Sequence, residues 1–90
     1  MSEKTTQLKT IKQNGVNKMM NAEFLVTNNA WIVTFGTGHD RQILTLEDKI
    51  GQYPRFFQTL EKLDYALKNC GLQRNNRNAI SIEVEESNNA

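Results

Sequence analysis

Cysteine is nearly absent: Cys70 stands alone in 90 residues. One thiol makes neither an internal disulfide nor a thiolate zinc site, and it points to a reducing compartment, the cytoplasm. Long apolar runs are missing as well. None approaches the roughly 18 residues that cross a bilayer, so no membrane partner is expected. The polar stretch from Ser2 to Lys18 does not read as a secretory leader. Excess charge of either sign is missing too: 11 Lys and Arg face 10 Asp and Glu, for a net charge of +1. That excludes a strongly basic nucleic-acid coat and an acidic DNA mimic alike. Proline occurs once, at Pro54, and the aromatics are four Phe, two Tyr and one Trp. A hydrophobic share of 38% is nevertheless too high for a disordered chain. One domain fits this length, and two do not.

The near-zero total conceals a polarity. Lys4, Lys9, Lys12 and Lys18 stand against Glu3 at the start, about +3, while Glu83, Glu85 and Glu86 give the end about −3. Leu8 and Ile11 share a helical face, but Asn14-Gly15 interrupts the pattern before a second turn accumulates. A helix so short is marginal in isolation, so residues 1–21 are expected to form a flexible basic arm. Residues 86–90 are expected to fray as an acidic tail. A single domain over residues 22–85 remains. A core of about 65 residues is only marginally stable alone, so a homodimer is expected.

Within that domain the periodicity alternates between strand and helix. Ala22–Thr27 and Ala30–Phe35 are rich in strand formers, with Trp31, Val33 and Phe35 on one face and Ile32 and Thr34 on the other. Gly36-Thr37-Gly38-His39-Asp40 reads as a hairpin loop. Arg41–Glu47 alternates again, placing Leu44 and Leu46 opposite Arg41, Ile43 and Thr45. Pro54 confines Tyr53–Phe57 to an edge strand or a strand entry. Thr59 is a good N-cap, Glu61 suits the first turn, and Leu60, Leu63, Leu67 and Cys70 recur at helical spacing up to Gly71. Gln73–Asn78 reads as a polar loop, and Ala79–Glu85 as a closing strand with Ile80, Ile82 and Val84 inward. The expected class is α+β: a small, mostly antiparallel sheet of 3–5 strands covered on one face by a single amphipathic helix, in the order β-β-β-α-β.

The residues that carry chemistry form no catalytic set. His39 is a loop-tip residue without a second ligand beside it, so no metal site is expected. Cys70 lies at the end of a helix, where the dipole opposes thiolate formation. Gly36-Thr37-Gly38 joins two strands and opens no helix, unlike a phosphate-binding loop. An enzyme is not expected, and neither is a cofactor. The arginines carry more. Thr34, Arg41, Ile43 and Thr45 share the sheet face away from the helix, a combination that suits a DNA groove. Arg74 and Arg77, with Lys12 and Lys18 of the arm, are placed to hold the phosphate backbone.

The ordered pattern from Trp31 to Gly71 resembles a known type. Ala30-Trp31-Ile32-Val33, a glycine hairpin, Leu44-Thr45-Leu46 and Arg55-Phe56-Phe57-Gln58-Thr59-Leu60-Glu61 resemble the arm-binding DNA domain of phage and transposon integrases. They also resemble small accessory proteins carried by plasmids and phages. The resemblance implies a sheet that reads the major groove, with Thr34, Arg41, Ile43 and Arg55 at DNA. The first expected function is therefore a non-enzymatic accessory or regulatory protein of a mobile element that binds nucleic acid through its sheet face and arm. The second is a protein-interaction module, an inhibitor or adaptor that docks on a host protein through the uncovered sheet face or an edge strand. A third is a self-associating subunit with Ile32 and Ile43 in its interface.

Overall fold

The computed structural model describes residues 4–14, 20–48, 50–75 and 79–87. In chain order these form β1 (Thr5–Gln7), α1 (Leu8–Asn14), β2 (Met20–Leu25), β3 (Ala30–Phe35), β4 (Gln42–Thr45), α2 (Leu60–Asn69), β5 (Leu72–Asn75) and β6 (Ile82–Glu86). The strands build one sheet in the order β1-β4-β3-β2-β6-β5. Every pairing is antiparallel except β1 with β4, which run parallel. The α+β class holds. The sheet, however, has six strands and is mixed, and the described residues form two α-helices where one was expected.

The β3–β4 hairpin follows from local sequence. Strand formers fill Ala30–Phe35, and Gly36 and Gly38 both take positive φ in the loop. Gly36 is required by space as well: a Cβ there would lie 2.8 Å from the Asp40 carbonyl oxygen. Helix α2 is equally legible. The Thr59 hydroxyl accepts from the Lys62 amide at 3.2 Å as its N-cap, and Gly71 follows the helix at φ 75°. Leu63, Ala66 and Leu67 point inward. They meet Ala22, Val33, Phe35, Leu44, Leu46, Leu72 and Val84 in one apolar core.

Three expectations are corrected. The segment expected as a flexible arm contains β1 and α1, and Leu8 and Ile11 are buried in the core. Their apolar face is too short to make a helix alone; packing against the sheet makes it one. The expected polar loop after Gly71 begins with β5, whose ladder to β6 runs from Leu72 opposite Glu86 to Asn75 opposite Glu83. Here the cross-strand partner imposes the strand, against residues of low strand preference. The closing strand starts at Ile82, and Ile80, expected inward, is almost wholly exposed.

Residues 52–57 are a wedge in the sheet. β4 pairs with β3 only at Thr34–Ile43 and Phe35–Gln42 before it turns towards β1. Into the gap comes the Pro54 segment: the Tyr53 amide donates to the Leu46 carbonyl at 2.7 Å, and Phe57 exchanges two backbone hydrogen bonds with Trp31 at 2.7 and 2.9 Å. Proline is tolerated because it falls between these pairings.

Candidate functional site

The sheet face away from α2 carries Asn21, Glu23, Ile32, Thr34, Arg41, Ile43 and Thr45, as the alternation of side chains along paired strands requires. The expected grouping of Thr34, Arg41, Ile43 and Thr45 on one face is therefore observed. Their availability is different. Thr34 and Ile43 are fully buried and Thr45 nearly so. The Thr34 hydroxyl donates to Glu23 Oε2 at 2.6 Å. Arg41 forms a bidentate pair with the same carboxylate, Nε to Oε2 and the terminal nitrogen to Oε1, both at 3.1 Å. This bridge passes from the start of β4 across β3 to β2, over Thr34. Burial pushes the Glu23 carboxyl upward, but the Arg41 and Thr34 hydrogen bonds and the Arg41 charge outweigh it and hold it below its usual range. Ile32, opposite Glu23 in the ladder, is 0% exposed. With Ile43 also enclosed within a single chain, neither isoleucine offers an interface.

Arg74 is engaged as well. It grips Asp64 of α2 through Nε and a terminal nitrogen, the latter at 2.8 Å, so it ties β5 to the helix. The Asp64 hydrogen bond raises its already high pKa, so the group stays charged. Arg55 is exposed, with its guanidinium carbon 5.5 Å from the centre of the Phe56 ring. Lys12 is exposed on α1. Lys18 and Arg77 lie outside the described residues. Of the expected nucleic-acid contacts, then, three are buried, two are bound to carboxylates, and two described cations face solvent.

A second region stands out by its shape. Residues 53–58 and the outer side of α2 enclose a groove of about 590 Å³, walled by Tyr53, Pro54, Phe56 and Phe57 on one side and Glu61, Lys62 and Tyr65 on the other. Buried Ala66 lines it too, and Phe57 is only 6% exposed. Tyr65 is 63% exposed. The opposing wall is held firmly: the Tyr53 hydroxyl donates to Asp48 Oδ2 at 2.9 Å and accepts from Asn69 Nδ2 at 2.7 Å. Asp48 in turn accepts from the Ile50 and Gly51 amides. Burial tends to raise its carboxyl, but these amides and the Tyr53 hydroxyl bring it below its ordinary value. Burial and the Asp48 carboxylate push the Tyr53 phenol up.

Comparison with known proteins adds no relative. No protein-family model, curated protein or solved structure matches the chain. The site must be read from its own geometry.

A hollow of about 480 Å³ on the α1 side brings Lys9 and Lys12 near Glu47, Asp48 and Cys70. The Cys70 thiol donates to the Glu47 carbonyl at 3.5 Å. Burial first and then the Asp48 charge raise its pKa, so it stays a thiol at neutral pH. His39 is exposed in the turn Gly38–Asp40. Among the described residues no three His, Cys, Asp or Glu side chains converge as metal ligands. No described helix is long and apolar enough to cross a membrane.

The groove residues were weakly signalled in the sequence. Tyr65 falls on the polar side of α2, where an aromatic is out of place, and Tyr53-Pro54-Arg55-Phe56-Phe57 concentrates three of the seven aromatics in five residues. Only the wedge geometry brings the two together.

Proposed function

We propose that the protein is a non-enzymatic interaction module, an inhibitor or adaptor that takes a protein partner in the groove between α2 and residues 53–58. The observation that carries this reading is the exposed Tyr65 facing a rigid aromatic wall. Exposed apolar surface of this kind, rimmed by polar side chains, marks interaction sites in soluble proteins. The cations Arg41 and Arg74, by contrast, already have carboxylate partners. Leaving those carboxylates for a phosphate would strand two acidic groups beside it.

A photo-crosslinking residue at position 65, and separately at the exposed Gln73 on the sheet-end strand β5, tests the reading. A discrete adduct from position 65 that survives nuclease treatment supports it. An adduct from position 73 alone moves the contact to the sheet edge. Nucleic-acid binding remains the second reading, favoured by the exposed Lys12 and Arg55. It requires an affinity that falls steeply with salt and a loss on Arg55→Ala.

A further inference from the structure

We infer that the occupant of this groove is an uncharged, extended, proline-rich segment of the partner. The inference rests on the interaction-module reading and adds the ligand's chemistry. Four observations support it.

Five of the nine groove residues carry rings; Phe57 is buried in the core, which leaves Tyr53, Pro54, Phe56 and Tyr65 to meet a ligand. Aromatic-lined grooves suit the polyproline II helix, because flat rings accept pyrrolidine faces and the ligand is already extended, with little entropy left to lose.

The groove is short. From Glu61 to Ala66 its helical wall rises about 7.5 Å at about 1.5 Å per residue. That accommodates two to three residues of polyproline II at about 3.1 Å each. A docked helix, whose anchors at i and i+7 lie about 10.5 Å apart, needs more.

The groove lining is mostly uncharged. Glu61 and Lys62 are its charged residues, one of each sign, the Lys62 ammonium donates to Gln58 Oε1 at 3.4 Å, and Arg55 stands beside Phe56 at the rim. A cationic segment would be repelled by Arg55 and Lys62, and Glu61 leaves an acidic one only a small net attraction.

The wall is preformed. Phe57 is fixed by two backbone hydrogen bonds to Trp31, and the Tyr53 hydroxyl by Asp48 and Asn69. Binding therefore spends little on ordering the receptor. The Tyr53 hydroxyl is committed inward. Tyr65 is the phenol left to donate to a carbonyl of the ligand, which polyproline II leaves without internal partners.

The test is an amide-resolved NMR titration of the whole chain with decaproline. A Gly-Ser decapeptide, an amphipathic helical peptide and single-stranded DNA serve as separate arms. Saturable shifts with decaproline alone, confined to residues 53–58 and 61–66 and unchanged from low to high salt, are expected. Tyr65→Ala should weaken binding about tenfold, as loss of a central aromatic anchor does. Tyr65→Phe should weaken it about threefold, the cost of one neutral hydrogen bond. Because Tyr65 is largely solvent-exposed, both variants should keep the wild-type circular dichroism and melting temperature.

Shifts with the helical peptide or DNA instead of decaproline overturn the inference. So does a self-association that Tyr65→Ala alone abolishes, which would make a second copy the occupant. If decaproline fails while position 65 still crosslinks to a protein, the ligand class is wrong and the interaction module stands. If neither occurs, both fail.

Discussion

The two faces of the sheet are closed by different means. On the α2 side, Leu63, Ala66 and Leu67 bring apolar atoms down onto Val33, Phe35 and Leu44, and burial follows from packing. On the far side, Ile32, Thr34 and Ile43 reach the same depth of burial beneath no described helix. There, long polar side chains of adjacent strands are joined to one another above β3, with Glu23 gripping Arg41 and accepting from Thr34. The contrast teaches that a small sheet need not leave its second face open for a ligand. A face reading as Thr, Arg and β-branched residues can be buried within one chain, with its arginine already paired. The surface left over lies at the margin of the packed side, where the wedge of residues 52–57 holds rings apart from α2.

Substitutions that treat the faces as equivalent cores can break this comparison. Leu63→Ala should have the largest effect, about 4 kcal/mol of unfolding free energy by urea denaturation, since a fully buried leucine leaves a cavity. Ile32→Ala on the far face should cost about 3 kcal/mol by the same measurement. A cost below about 1 kcal/mol would mean that the far face is a loose cover and not a second core. Leu8→Ala should cost about 2 kcal/mol, less because α1 lies at the core's edge. No change would return residues 4–14 to the status of a mobile arm.

The polar cover itself should be worth least. Glu23→Gln should cost under about 1 kcal/mol, because both partners of the ion pair are more than a third exposed. The pH dependence has a definite sign. Glu23 titrates lower in the folded chain than in the unfolded one, so its contribution is present above about pH 4.3 and is lost as pH falls through the folded value. The stability difference between wild type and Glu23→Gln should therefore shrink on acidification, measured by thermal melts across pH 3 to 7, a range of about four units around the carboxylate value.

Much of the fold was legible wherever local signals agree with the tertiary result. β3 runs over Ala30–Phe35 as its strand formers indicate, and the capped helix begins and ends where Thr59 and Gly71 place it. The alternation assigned Leu44 to one face and Ile43 to the other correctly. What was not legible depends on partners distant in sequence. Gln73 and Arg74 become strand because Glu85 and Val84 lie opposite them. Thr5–Gln7 become strand because Ile43–Thr45 do. The burial of Thr34 and the pairing of Arg41 also escaped the sequence, since alternation reveals which face a residue takes and not which neighbour then meets it. Glu23 was the missing partner, and only the β2–β3 register brings it there.

The strand order has a consequence for how the chain assembles. β6 follows every other described strand in sequence, yet it lies inside the sheet, between β2 and β5. Until residues 82–86 are available, β5 has no ladder to join, and the flank of β2 that they occupy stays an unpaired edge. Contacts of such sequence separation are slow to form, and open strand edges in waiting chains seek one another. The hazard for this protein is therefore one of timing: a chain interrupted before β6 presents the same surface that the finished sheet conceals.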